Sequence, residues 1–493
     1  MIQAFKRQLK DKKAGLQSRT ILAAFWSLIG SGGAGIIRFT SNLVLTRLLF
    51  PEAFGLMATA MLMMTLVQIF SDTGVKTALI QHPQGDSRSF IDTSFIIALG
   101  RSILLFLILI ISVSPIANFY SQPELVNILW VMSIAFLAEG FLNPALPLLI
   151  KKLRIEKQVV YSIGTQLAGF LTTLALVYVL RSVLALAIGY VFTSIFRVIG
   201  SYLILSYRPK FKWNRAAGLA LLHFGKYIIV NTMIGWAVLN LDRMVIGKVL
   251  GMEQLGFYNI ALFIGVFVSE VLVQIFSQSY FPAVSTIAHN HAKVQMVFEK
   301  ANATIIALVA PFVMLLVMFS NEVISILYDP RYLLAGTVLF WISIRSLIQM
   351  ISNIQSGTLL AMGKPVFVTI SNGIGLVFLS IALPLLTTKY GLAGSGMAVV
   401  LSSLIIGLAQ TISLLRYIQF TSRSVLMPWM QLGLIMFLMH VAYRLLYSSF
   451  HEYSGYNLAF ILLMFGVATI ISLINIWWLN RHVFNVKIVP EVA

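Results

Sequence analysis

Stretches of about 20 or more predominantly apolar residues recur along the whole chain with only short loops between them. Few folds accept that pattern. In lipid every backbone N–H and C=O must be satisfied within the protein, so a run of this length has to be helical. A closed β-barrel is excluded, because its strands alternate over about ten residues and do not run apolar for twenty. About fourteen such runs stand at 19–48, 54–79, 89–113, 124–150, 158–180, 182–206, 218–249, 254–280, 301–320, 332–361, 365–387, 390–416, 427–449 and 456–479. The divisions at Arg181, at Gly363-Lys364-Pro365 and at Lys389-Tyr390-Gly391 rest on short turns alone. Only 10% of the residues are charged and 59% are hydrophobic, against roughly 25% charged in soluble domains. The expected fold class is therefore an all-α polytopic membrane protein.

Charge placement orients the helices. With the N-terminus inside, 24 Lys and Arg fall at inner ends, five (Arg47, Arg181, Lys248, Arg331 and Lys389) at outer ends, and six (Arg38, Arg101, Arg197, Arg243, Arg345 and Arg444) within spans, which accounts for all 35. This asymmetry places both termini in the cytoplasm. The net charge of +19 is thus a matter of membrane orientation, and no nucleic-acid partner is expected. The apolar run after the basic N-terminal residues exceeds the length of a signal-peptide core and reads as the first membrane helix. There is no cysteine, so disulfides, thiolate metal sites and cysteine nucleophiles are excluded.

The chain repeats itself. At an offset of 201, Val44, Leu49, Glu52, Gly55 and Ala60 meet Val245, Leu250, Glu253, Gly256 and Ala261, and Arg47 meets Lys248. Val67-Gln68-Ile69-Phe70-Ser71 returns as Val273-Gln274-Ile275-Phe276-Ser277. The expected organisation is an N-terminal six-helix bundle over 1–207, a pseudo-symmetric six-helix bundle over 208–417, and two trailing membrane helices with a cytoplasmic tail over 418–493.

Residues 48–81 (LLFPEAFGLMATAMLMMTLVQIFSDTGVKTALIQ) and 224–261 (FGKYIIVNTMIGWAVLNLDRMVIGKVLGMEQLGFYNIA) resemble the MOP superfamily of exporters, in its polysaccharide-transport branch. That branch holds the Wzx-type flippases for O-antigen and colanic acid units. The resemblance spans nearly the whole chain. It implies two bundles facing a cavity, alternating access, and transfer of an undecaprenyl-diphosphate-linked oligosaccharide from the cytoplasmic to the periplasmic leaflet of a bacterial inner membrane. It implies no cofactor beyond coupling to protons or sodium ions. The implied partners are the lipid-linked substrate, membrane lipids and other polysaccharide-assembly proteins.

Polar groups inside the spans are the candidate functional residues, since ionisable groups at that depth are costly. Ser27, Ser31, Arg38 and Asn42 form one stripe on the first helix, at spacings of 4, 7 and 4. Trp236, Asn240, Arg243 and Gly247 share a face of the seventh. Arg345, Gln349, Ser352 and Ser356, widened by Ser346 and Asn353, stripe the tenth. Arg38, Asn42, Asn240, Arg243, Arg345 and Gln349 are expected to line a hydrated, cationic cavity; the alternatives are internal ion pairs or a hydrogen-bonded helix interface. On the cavity reading, Gln in place of Arg38 or Arg345 spares folding. Glu139, Asp242 and Glu270 are coupling-ion candidates, or else partners for Arg101, Arg197 or Arg243. Asp72 and Lys76, four apart, are candidates for an inner gate or a simple intrahelical pair. Pro144, Pro147 and Pro311 are expected to interrupt helices as flex points. Gly30–Gly35 has the letters of a dinucleotide loop, but no strand precedes it and close helix packing explains it better. No Walker loop is present, and His289 and His291 lack a carboxylate-bearing metal motif.

The loops are too short for a soluble catalytic domain, so a membrane glycan polymerase or ligase is the weaker alternative and no enzymatic activity is expected. A drug/cation antiporter of the same superfamily should favour acids in its spans, whereas here six arginines face three acids. A lipid II flippase shares the anionic cargo class and stays open on charge alone. The orientation is directly testable: in this cysteine-free background a cysteine at position 154 should react with an impermeant thiol reagent only after the cells are opened. Labelling of intact cells would invert the topology.

Overall fold

A computed structural model describes residues 16–70, 75–152, 154–225, 229–450 and 457–482. Among these residues all regular structure is helical. The helices are α1 (Leu16–Leu48), α2 (Pro51–Phe70), α3 (Val75–Gln81), α4 (Arg88–Tyr120), α5 (Glu124–Gly140), α6 (Pro147–Lys151), α7 (Ile155–Leu180), α8 (Val183–Ile204), α9 (Arg215–Gly225), α10 (Ile229–Val249), α11 (Met252–Thr286), α12 (His291–Met318), α13 (Ser320–Leu327), α14 (Ala335–Ala361), α15 (Pro365–Tyr417), α16 (Ser422–Phe450) and α17 (Asn457–His482). Ten are long and apolar enough, by length and composition, to cross a membrane.

The difference from the fourteen expected runs has local causes. α15 carries two of them in one 53-residue element, broken at Gly391, whose φ of 59° and ψ of −138° lie in a region open essentially to glycine. The run at 124–150 is divided, its first part α5 ending after 17 residues. The run at 218–249 is shared between α9 and α10, and that at 254–280 includes residues of α11 whose side chains lie outside the described set. All three turn-based divisions coincide with left-handed backbone: Arg181 at φ 46°, Gly363 at 72° and Gly391 at 59°.

The chain forms two compact units, Met1–Met233 and Ile234–Ala493. The first extends beyond the expected limit at residue 207 because the linker after α8 is fastened to it. Asp92, buried on α4, accepts hydrogen bonds from the Tyr207 hydroxyl at 2.7 Å and the Lys210 backbone N–H at 2.9 Å. Asn143 donates to the Tyr207 carbonyl at 2.9 Å, and Thr93 accepts from the Asn214 N–H at 3.1 Å. Burial, then the hydrogen bond and charge of Asp92, push the Tyr207 phenol well above its ordinary pKa, so it stays a donor. Small residues let α7 and α8 meet closely. A Cβ at Gly169 would lie 2.2 Å from Thr193 Oγ1, and one at Gly189 would lie 2.2 Å from Thr173 Oγ1.

The second unit is built on α12. Over an apolar 18-residue stretch 78% of its residues are buried, so it is the core helix of the unit. Its Phe298, Ile306, Val309 and Val313 join Ile351 of α14, Leu414 of α15, Met439 of α16 and Met464 of α17 in one apolar cluster. The two trailing helices therefore pack into the second unit.

The repeat has a structural counterpart. α1 ends at Leu48 and α2 begins at Pro51; α10 ends at Val249 and α11 begins at Met252, both shifted by 201. Leu49 N–H bonds Leu45 C=O, as Leu250 N–H bonds Ile246 C=O. Leu56, Ala60 and Met63 are buried, and so are Phe257, Ala261 and Ile264 at the same offset.

Candidate functional site

The second unit holds a buried ionic cluster. Asp242 sits near the end of α10 and is 1% exposed. A carboxylate so placed needs donors. The Tyr258 hydroxyl on α11 donates to Asp242 Oδ2 at 2.5 Å, and Arg345 Nη1 on α14 lies 3.7 Å from the same oxygen. The turn at Leu250-Gly251, where Gly251 has φ 91°, folds α11 back so that Tyr258 meets a residue 16 positions earlier. Asp242 Oδ1 accepts the Arg243 backbone N–H at 2.8 Å. The equivalent positions in the first unit carry Ser41 and Met57, so this carboxylate–phenol pair has no copy there.

The cluster is rich in donors. The Nε atoms of Arg243 and Arg345 are both buried without a hydrogen-bond partner among the described residues. Two guanidinium groups and one carboxylate leave a net positive charge. A cation bound at Asp242 would have to displace Arg345.

The first unit has its own pair. Arg197 Nη1 on α8 lies 2.6 Å from Glu139 Oε1 on α5, and the side chains are 40% and 25% exposed. Glu139 is thus placed as the ion-pair partner that sequence reading gave as its alternative role. Arg101 donates to the Gln68 carbonyl at 3.0 Å.

The structure brings Asp242, Arg243 and Arg345 together. Asn240 donates to its own helix, at Trp236 O, 2.9 Å away. Arg345 is 7% exposed, beside a carboxylate and not on a hydrated stripe. Its neighbours on α14 form a helix interface: Ser346 donates to Gly265 O at 3.0 Å, and Ser356 accepts from Gln410 at 2.9 Å. Gln355, absent from the sequence-derived stripe, donates to Thr411 at 2.9 Å. Spacing alone marks one face as polar; whether that face meets water or another helix depends on the neighbour, and α11 and α15 supply the partners. Gln349 is half-buried. Arg38 is exposed on α1 and has no carboxylate partner among the described residues, and Asn42 lies one turn on, half-buried. Asp72 and the side chains of Lys76 and Glu270 lie outside the described residues.

Sequence reasoning missed Tyr258, since one tyrosine in an apolar helix has no periodic signal. The need of a buried aspartate for an O–H or N–H donor was the available clue. Because Arg345 is sealed against Asp242, Arg345→Gln should lower stability by about 3 kcal/mol, the usual result of stranding a buried charge. Adding Asp242→Asn should restore most of the loss. Thermal unfolding of the purified protein checks both, and an Arg345→Gln variant as stable as the parent would contradict the ion pair.

Residues 44–335, more than half the chain, match the family described as "Polysaccharide biosynthesis protein". The lipopolysaccharide biosynthesis protein WzxC of Escherichia coli (strain K12) is 24% identical over 356 residues, covering 71% of this chain and 69% of its own. The fold is similar to that of the lipid II flippase MurJ in an inward closed conformation, with a TM-score of 0.73 at 13% identity, covering 93% and 99% of the two chains. It is also similar to an outward-facing multidrug resistance MATE transporter of the MOP superfamily, with a TM-score of 0.56 at 13% identity over 86% and 97%. This chain belongs to the polysaccharide biosynthesis protein family, and its all-helical fold is similar to that of the lipid II flippase and MATE transporters.

Proposed function

We propose that the protein exports an undecaprenyl-diphosphate-linked oligosaccharide across a bacterial inner membrane, from the cytoplasmic to the periplasmic leaflet, by alternating access. The observation that carries this reading is the charge left over inside the membrane helices. Two of the three intramembrane acids lie among the described side chains, and each already has an arginine: Glu139 has Arg197, and Asp242 has Arg345. Arg38 and Arg243 remain without a carboxylate counter-ion among the described residues. Uncompensated positive charge at such depth is costly unless it meets water or an anionic ligand.

A diphosphate is the anion that fits. Its charge cannot enter hydrocarbon unaided, and guanidinium groups replace lost water with planar, charge-assisted hydrogen bonds. The oligosaccharide needs a wet polar path, while the isoprenoid tail stays in lipid. A cation exporter would need the opposite balance. The family membership and the likeness to WzxC support a polysaccharide cargo.

The test is leaflet transfer of an undecaprenyl-diphosphate-linked oligosaccharide in proteoliposomes. Arg38, being exposed, separates function from stability. Arg38→Gln should unfold at the parent's temperature yet transfer about tenfold more slowly, the loss expected for one charge-assisted contact. Arg38→Lys should recover part of the rate, because it keeps the charge without the fork. Unchanged transfer by a stable Arg38→Gln variant would refute a cargo contact at this arginine.

A further inference from the structure

α5 stops short of a full span. Its 17 residues reach about 25 Å, less than the roughly 30 Å of a hydrocarbon core. Residues 141–146 follow as turns before α6 begins at Pro147. Non-helical backbone at membrane depth persists only where protein or water satisfies it, and here Asn143 does so. Its N–H donates to Ser201 Oγ at 3.1 Å, its Oδ1 accepts from Ala145 N–H at 3.1 Å, and its Nδ2 donates to Tyr207 O at 2.9 Å. The break is a fastened feature. In membrane transporters such interrupted helices mark the places where polar ligands bind.

Glu139 is the last residue but one before this break, and Arg197 is its partner. Arg197 lies seven residues before the end of α8 at Ile204, about 10 Å along the axis. Tyr161 donates to the Arg197 carbonyl at 3.0 Å, and Tyr190 is within electrostatic range of both charges. Unlike the sealed Asp242–Arg345 pair, this pair is open, with side-chain exposures of 40% and 25% against 8% and 1%. An open ion pair facing lipid is untenable at this depth, so its exposed side meets water or a polar ligand.

We propose that the Arg197–Glu139 pair at the α5 break is a binding site for the phosphate group of a lipid headgroup, with Glu139 as the resident counter-ion that the phosphate displaces. Glu139 engages Arg197 through one terminal nitrogen, and a guanidinium has five N–H donors in a fork that matches phosphate. Once displaced, the Glu139 carboxylate repels the phosphate beside it, which limits affinity and permits release. Tyr161 and Tyr190 bring phenol groups near the pair. The carrier diphosphate of the export reading and an ordinary anionic phospholipid share this chemistry; the first source rests on that reading and the second does not.

The experiment measures binding of radiolabelled undecaprenyl diphosphate to the full-length protein in nanodiscs, with phosphatidylglycerol as competitor and thermal unfolding in parallel. Glu139→Gln should bind about tenfold tighter, because the competing carboxylate is neutral. Arg197→Gln, and Glu139→Gln with Arg197→Gln together, should bind at least about tenfold more weakly, while the double variant unfolds near the parent's temperature. Equal competition by phosphatidylglycerol would support the site with a bilayer phospholipid as its occupant, and no competition would support the isoprenoid carrier. Parental binding by Arg197→Gln or by the double variant, or no binding by the parent itself, would overturn the site. If Arg197→Gln also transfers the lipid-linked oligosaccharide normally, the export reading survives that failure.

Discussion

A charge placed in hydrocarbon must find a counter-charge, a polar ligand or water, and the arrangement of this protein follows from how each membrane charge meets that demand. Asp242 meets it by complete enclosure between Tyr258 and Arg345. Glu139 and Arg197 meet it with each other and stay partly exposed. Asp92, near the start of α4 and outside that set, binds down the linker through Tyr207 and Lys210. Arg38 and Arg243 are left without an acid among the described residues, and the proposed anionic cargo answers their charge.

The two ionic pairs have different physical characters. A sealed pair fixes geometry: Asp242 ties α10 to α11 and α14. An open pair is exchangeable, because solvent or ligand can replace either partner without exposing a buried charge. The proposed export requires both kinds of behaviour, rigid units and a site that releases what it binds.

Most of the fold was legible in the sequence because lipid imposes one demand on every span, and apolar length records it directly. Positive-φ residues at 181, 363 and 391 sit at the short turns that Arg181, Gly363-Lys364-Pro365 and Lys389-Tyr390-Gly391 indicated. The repeat at offset 201 marked the helix ends at Leu48 and Val249. The site was less legible. Helical spacing puts Arg345, Ser352 and Ser356 on one face, but only the packing of α14 against α15 and α11 reveals that the face is a hydrogen-bonded interface. Tyr258 was invisible because its role arises from a turn that brings it to Asp242. The break in α5 was signalled by Pro144 and Pro147, yet its meaning appears only with Arg197 opposite Glu139.

The central claim is that surplus positive charge within the membrane helices is matched to an anionic headgroup. It is tested most directly by offering the reconstituted protein two fluorescent lipid-linked oligosaccharides, identical except that one carries the diphosphate and the other a neutral linker. The account predicts leaflet transfer of the diphosphate lipid and only the protein-free background rate for the neutral one. Equal transfer of both would contradict it.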